Sequence, residues 1–329
     1  MSEGSIVAKG HCLFSGIGGL DQDYKKAVEC YQRAAIEGDS WAQCSLGYCY
    51  EKGLGVLRQP QKAAKHYFDS SEQEDPLGQA ALGCCYQHGI GVKRDLKKAF
   101  KLYEKSVKQG DLCNGITQVR LGFCYLKGLG TEKNEKRAFE CFNAASANFQ
   151  KISDKEGGEE GYCSKKDNSS RRCSLAMFSL ARCYWRGIGV SNDEKLAAYW
   201  YKASSSLGNQ HAQTQIGIFY AKGSMLSGFD QNYNEAVELW RKASAQGNPI
   251  AEFNLAGCYQ QGLGVIEKDP SRAADLYSRS ATSGYEPAKD RLEDFIPDVT
   301  SAADSDNNMH RQALPLYNLP PLKKSEIKK

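Results

Sequence analysis

No stretch of the 329-residue chain approaches 18 consecutive apolar residues, so no membrane-spanning helix is expected. Charge of one sign is equally scarce. Lys and Arg number 43 against 39 Asp and Glu, and the net charge of +4 is interleaved along the chain without a basic stripe. Nucleic acid is therefore not an expected partner. The opening MSEGSIVAKGHCLFSG lacks the charged head and long apolar run of a secretory signal, which points to a cytoplasmic location. No glycine pair leads into the G-K-[ST] of a phosphate loop, and there is no kinase signature or C-terminal prenylation box. The 5 His, at 11, 66, 88, 211 and 310, fall in unrelated contexts with no nucleophile set beside them. A non-enzymatic chain is the expectation, with no catalytic, cofactor-binding or metal-ligating residue assigned.

What is abundant is Tyr, at 18, and Cys, at 13. The Cys number is odd, so at least one cannot pair within the chain, and in a reducing compartment all are read as thiols. The tyrosines lead to a repeat. LGYCYEKGLGV at residues 46–56 returns as LGCCYQHGIGV at 82–92 and as LGFCYLKGLGT at 121–131. Tyr50, Tyr86, Tyr125, Tyr184, Tyr220 and Tyr259 hold the same place in six copies, spaced by 36, 39, 59, 36 and 39 residues. Three residues after each stands a Gly: Gly53, Gly89, Gly128, Gly187, Gly223 and Gly262. Five copies add a second, at Gly55, Gly91, Gly130, Gly189 and Gly264, and the fifth copy carries the longer GSMLSGFD instead.

Each copy reads as two helices. Ala42, Leu46, Cys49 and Tyr50 mark the first at helical spacing, and Ala63, Ala64, Tyr67 and Phe68 mark the second. Pro60 and Pro270 suit a first helical turn. Asp95, Asp193 and Asp269 suit caps of second helices. The glycines suit the turn between the two helices, because Gly accepts positive φ and close backbone approach. One such hairpin cannot bury its apolar face alone, whereas stacked hairpins can, which gives a solenoid.

The pattern A-x-x-x-L-G-x-x-Y-x-x-G-x-G-V followed by D-x-x-K-A-x-x-x-Y-x-K-A-x-x-x-G resembles the Sel-one-like repeat family, with GQAALGCCYQHGIGVKRDLKKAFKLYEKSVKQG at 78–110 the copy nearest to it. The departures are Ala181 and Ala256 in place of Gly, the fifth turn and an insertion. The resemblance implies an all-α, right-handed α/α superhelical solenoid of tetratricopeptide-like hairpins. The expected divisions are an N-terminal segment 1–12, a partial capping unit 13–38 with its first helix short or missing, and units at 39–74, 75–110, 111–147, 173–208, 209–247 and 248–284. A terminal helix 285–295 and a tail 296–329 follow, and residues 148–172 form a polar, Gly-rich insertion expected to be flexible, either a recognition loop or a tolerated one.

Cys49, Cys85, Cys124, Cys183 and Cys258 each precede the repeat Tyr, with Phe219 in the fifth copy, so the slot is read as apolar rather than metal-binding. Cys84 and His88, four apart, are two ligands at most. Cys163 and Cys173 bracket the insertion and are a pair only in an oxidising setting.

The family's members are mostly adaptors or scaffolds, some in ubiquitin-ligase complexes, some activating chitin synthase and some in host interaction. The resemblance thus implies one or more protein or peptide partners and no cofactor. The alternatives left open are an exported or lumenal interaction protein and, more remotely, an enzyme. Polar or aromatic positions on the first helices are the candidate groove, or else packing between helices: Trp41, Gln43, Gln79, Gln118, Arg120, Gln213 and Gln215. Arg182, Trp185 and Arg186 form a second candidate patch beside the insertion.

Overall fold

The computed structural model describes residues 3–109, 114–155, 168–223, 228–265 and 267–293, and the regular elements among them are α-helices. The chain divides into two compact units, Met1–Asn192 and Asp193–Lys329. In the first, α1 (Glu3–Ser15) pairs with α2 (Tyr24–Ile36), α3 (Ser40–Lys52) with α4 (Pro60–Glu72), α5 (Pro76–His88) with α6 (Leu96–Lys108) and α7 (Asn114–Lys127) with α8 (Glu135–Lys155), followed by α9 (Asn168–Arg186). In the second, α10 (Glu194–Ser206) precedes the pairs α11 (Gln210–Lys222) with α12 (Tyr233–Ser244) and α13 (Pro249–Gln261) with α14 (Pro270–Thr282), and α15 (Glu286–Glu293) packs on α14. The architecture is an all-α solenoid of paired hairpins.

Local chemistry sets the helix ends. Asp95, Asp193 and Asp269 accept from the backbone N–H of Lys98, Leu196 and Arg272 at 2.9–3.0 Å, so each caps a second helix as expected. Asp39 and Asp75, Asn209 and Asn248 do the same for first helices. Pro60 and Pro270 open α4 and α14. The first helices α3, α5 and α13 stop at Gly53, Gly89 and Gly262, each left-handed with φ of 72–74°.

The second Gly of each pair does something different. A Cβ on Gly91 would collide with the carbonyl of Pro60, and one on Gly130 with that of Leu96. Gly55, Gly189 and Gly264 meet Tyr24, Glu135 and Tyr233 in the same way. Every one of these partners lies in the first turn of the preceding hairpin's second helix. The G-x-G loop is thus a joint, pressed backbone to backbone against the hairpin before it.

Inside a hairpin, a large ring fills the space above a helical Gly. Tyr67, Tyr103, Phe142 and Trp240 are buried against Gly47, Gly83, Gly122 and Gly217, where a Cβ would come within 2.9 Å of the ring. The hydroxyls of Tyr67, Tyr103 and Tyr277 donate to Glu51, Gln87 and Gln260 at 2.7–3.1 Å, so burial leaves them satisfied. The repeat Tyr binds neighbouring hairpins. Tyr125 donates to Glu104 of α6 at 3.1 Å, meets Phe100 edge-on at 5.3 Å and lies under Arg137 of its own hairpin. Tyr184 meets Phe139 of α8 at 5.5 Å, and Tyr259 accepts from Arg241 of α12 at 3.2 Å. Apolar clusters run through successive helices, α1 to α5 in the first unit and α11 to α15 in the second.

Two features differ from the sequence reading. The first hairpin is complete, because α1 is a full helix rather than a short or missing one. Its marks were hidden: Lys9 and Leu13 occupy the places of the usual Leu and Tyr, while Gly10 keeps its role under the Tyr31 ring. The ends of the 148–172 segment are helical, since α8 runs to Lys155 and α9 starts at Asn168. Polar residues prolong a helix once it is nucleated, so polarity alone misplaces the boundary. Residues 156–167, Cys163 and the 296–329 tail lie outside the described residues. In the fifth copy, the longer turn returns Phe229 to a buried seat 4.8 Å from Tyr220 and 5.4 Å from Phe219.

Cys49, Cys85, Cys124, Cys183 and Cys258 are at most 1% exposed. Burial pushes the thiols up to about 12, and Cys124 to about 11. With so little thiolate, they are expected to resist alkylation at pH 8 until denaturant is added, as read by mass spectrometry of iodoacetamide-treated protein. Rapid native labelling of these five would contradict their burial. For the joints, Gly91→Ala is expected to cost about 1–3 kcal/mol from overpacking, on top of the left-handed strain of about 1–2 kcal/mol that Gly89→Ala feels alone. Urea denaturation of the two variants measures the difference, and an equal or reversed ranking would contradict the joint.

Candidate protein-binding surface

The first-helix face of the first unit is built from α3, α5, α7 and α9. Counting from the repeat Tyr makes the copies comparable. Two residues before it stand Tyr48, Cys84, Phe123 and Arg182; two after it stand Lys52, His88, Lys127 and Arg186. Nine before it stand Trp41, Leu77, Ile116 and Leu175. The face is thus apolar toward the helix starts and basic toward their ends.

A cleft of about 470 Å³ opens on this face. Ile116, Val119 and Phe123 of α7, Leu129 of the following loop and Leu175 of α9 form its apolar wall. Gln87, Arg120 and Lys127 supply its polar groups. An adjoining cavity of about 280 Å³ shares Gln87 and Leu129 and adds His88, Arg94 and Leu96. Arg120 is half-buried and donates from Nη1 to Cys84 Sγ at 3.2 Å. Burial works against its charge, but Cys84 and Tyr103 beside it outweigh that and raise its pKa. Lys127 is exposed and lies over the Phe123 ring at 5.8 Å. Lys52 sits similarly over Tyr48, at 5.9 Å.

Of the residues singled out in the sequence, only Arg120 lines this cleft. Trp41 is half-buried with His11 and Tyr31 edge-on at 5.8 Å, so it packs between the first two hairpins. The glutamines are clasps. Gln43 accepts from Gln73 at 2.8 Å, Gln79 from Gln109 at 3.3 Å and Gln213 from Gln246 at 3.0 Å, each tying the start of a first helix to the end of its own second helix. In the last hairpin Glu252 and Arg279 repeat the clasp as an ion pair at 2.6 Å. Gln118 holds the same register and is 8% exposed. Gln215 is half-buried, and its Nε2 finds no acceptor among the described residues. On α9, Arg182 lies over Phe178 at 5.9 Å, Trp185 is half-buried and Arg186 is exposed. Arg182 and Arg186 share a face by their i, i+4 spacing, but neither lines the cleft.

The cleft's other residues were missed because each is an ordinary apolar or basic residue. The signal lay in comparing copies. Arg120 falls five residues before the repeat Tyr, where other copies have Ser45, Ala81, Ser179, Gln215 and Asn254. Among the described residues no group of three or more His, Cys, Asp or Glu is placed to hold a metal ion, and Cys84 instead accepts from Arg120. No helix among them is long and apolar enough to cross a membrane.

The chain resembles known proteins over part of its length, and solved structures over most of it. A chitin synthase regulatory factor of Schizosaccharomyces pombe is 30% identical over 123 residues, covering 37% of this chain and 13% of the relative. A DAP3-binding cell death enhancer of Rattus norvegicus is 32% identical over 91 residues, covering 28% of this chain and 17% of the relative. The chain thus spans less than a fifth of the length of these relatives. Among solved structures, a protective antigen of uropathogenic Escherichia coli is 27% identical with a TM-score of 0.65, covering 91% of this chain and 58% of the other. A Sel1 repeat protein from Oxalobacter formigenes shares the fold with a TM-score of 0.67 at 24% identity, covering 84% of this chain and 96% of the other. The Sel1 repeat model itself matches seven times, at residues 7–39, 42–75, 76–111, 116–148, 174–209, 210–248 and 249–285, and the chain belongs to the Sel1 repeat family.

Proposed function

We propose that this chain is an adaptor or scaffold that holds a partner protein on its first-helix face and so localises or regulates an enzyme complex. The observation that carries the reading is the cleft at α7: the buried register is kept from copy to copy, while Arg120, which lines the cleft, departs from what the other copies carry at its position. A repeat array can vary such positions freely because its stability comes from the joints and the core. Two relatives have names that describe work with another protein, a chitin synthase regulatory factor and a DAP3-binding protein, which supports the class of function without supplying a partner. The same proposal places the chain in the cytoplasm; its described cysteines, present as thiols outside any disulfide, suit a reducing compartment.

A photo-crosslinking amino acid placed at Lys127, on the first-helix face, and separately at Glu140, an exposed position of α8, tests the reading in cells. Protein adducts are expected from position 127 and not from 140. Adducts from both positions alike, or none from 127, would overturn the first-helix face as the binding surface.

A further inference from the structure

We propose that the α7 cleft takes an acidic, apolar peptide segment of a partner protein, with one carboxylate meeting Arg120 and a neighbouring Leu- or Phe-like side chain entering the wall of Ile116, Phe123 and Leu175. The inference rests on the protein-binding reading above and names the chemistry of the partner.

The first argument is charge. Among the described residues, no Asp or Glu lines the cleft or the adjoining cavity, whereas Arg94, Arg120 and Lys127 do. Elsewhere several basic side chains find carboxylates: Lys133 pairs with Glu135 at 2.8 Å, Arg241 with Glu238 at 2.7 Å and Arg279 with Glu252 at 2.6 Å. Arg120 is half-buried, yet among the described residues its partners are a thiol and a phenol rather than a carboxylate. A guanidinium out of water is stabilised far more by a carboxylate, which it grips with two parallel hydrogen bonds. Arg94 gives its Nε to the carbonyl of Gln87 at 3.1 Å, and Lys127 covers a ring; neither pairs with a carboxylate among the described residues.

The second argument is shape and polarity. A volume of about 470 Å³ lies within the usual range of roughly 300–1,000 Å³ for small-ligand sites, enough for a few side chains. Leu175 keeps 39% of its surface exposed at the cleft, an apolar side chain that a partner would cover. A small inorganic anion would satisfy Arg120 and leave this wall wet. A purely apolar peptide would bury the guanidinium without bringing it a carboxylate. An acidic segment with an apolar neighbour satisfies both.

The test pans a display library of random eight-residue peptides on the full-length protein and measures enriched peptides, fluorescein-labelled, by fluorescence anisotropy. Enrichment of Asp or Glu beside Leu or Phe is expected, with binding that weakens as salt is raised. Arg120→Gln is expected to weaken it by about tenfold or more, the loss of a charge-assisted contact. Lys127→Glu is expected to weaken it by about threefold or more, through charge reversal at an exposed site. Lys101→Glu, on the exposed face of α6, should leave it unchanged. Because Arg120 also contacts Cys84 and Tyr103, thermal melts accompany each variant, and Lys127→Glu keeps the test decisive if Arg120→Gln unfolds. Enriched peptides that are neutral or basic, or that bind the Arg120 and Lys127 variants as tightly as the unaltered protein, would overturn this inference and leave the adaptor reading standing. An absence of any enriched peptide overturns it too, and the crosslinking outcome alone then decides the broader reading.

Discussion

The backbone-to-backbone contact at the second glycine of each G-x-G loop is the constraint on which the repeats depend. It places the loop of one hairpin against the first turn of a helix in the hairpin before it, at Pro60, Leu96 and Glu135 in turn. Side chains could not set that distance so tightly, since a single methyl group would already intrude. The repeat Tyr reinforces the joint from the side, with Tyr125 and Tyr259 each reaching a charged partner in the preceding hairpin. Given fixed joints, the register of each first helix on the next follows.

That division of labour explains why polar residues on the first helices are poor guides to binding. Gln43, Gln79 and Gln213 looked available in the sequence but turn back on their own hairpins, where an amide pair can bridge two helix ends without carrying charge into a buried place. Trp41 is used in the same way, as packing between hairpins. The positions with freedom to specialise are those that neither close a joint nor clasp a hairpin, and Arg120 is the clearest of them.

The fold and the presence of the repeat were legible because glycine, proline and the capping aspartates have few substitutes at their positions. Asp95, Asp193 and Asp269 could be read as caps, and the cysteine slot as apolar, from residue type and spacing alone. The first helix was not legible, because Lys9 and Leu13 replace its signature residues while the packing glycine, Gly10, survives. The helical ends of the 148–172 segment were missed because composition reports solubility better than conformation. The cleft was legible only in part. Arg120 was one of several candidates read from the sequence, but Phe123, Lys127 and Leu175 come together through the stacking of α7 and α9, which no local pattern encodes.

The joints have a direction. At the five G-x-G loops the second glycine rests on a hairpin that lies earlier in the chain. A ribosome delivers the earlier hairpin first, so every new loop emerges to find its seat already built. Such an array can set one turn after another during synthesis, with nothing to hold open while distant segments arrive.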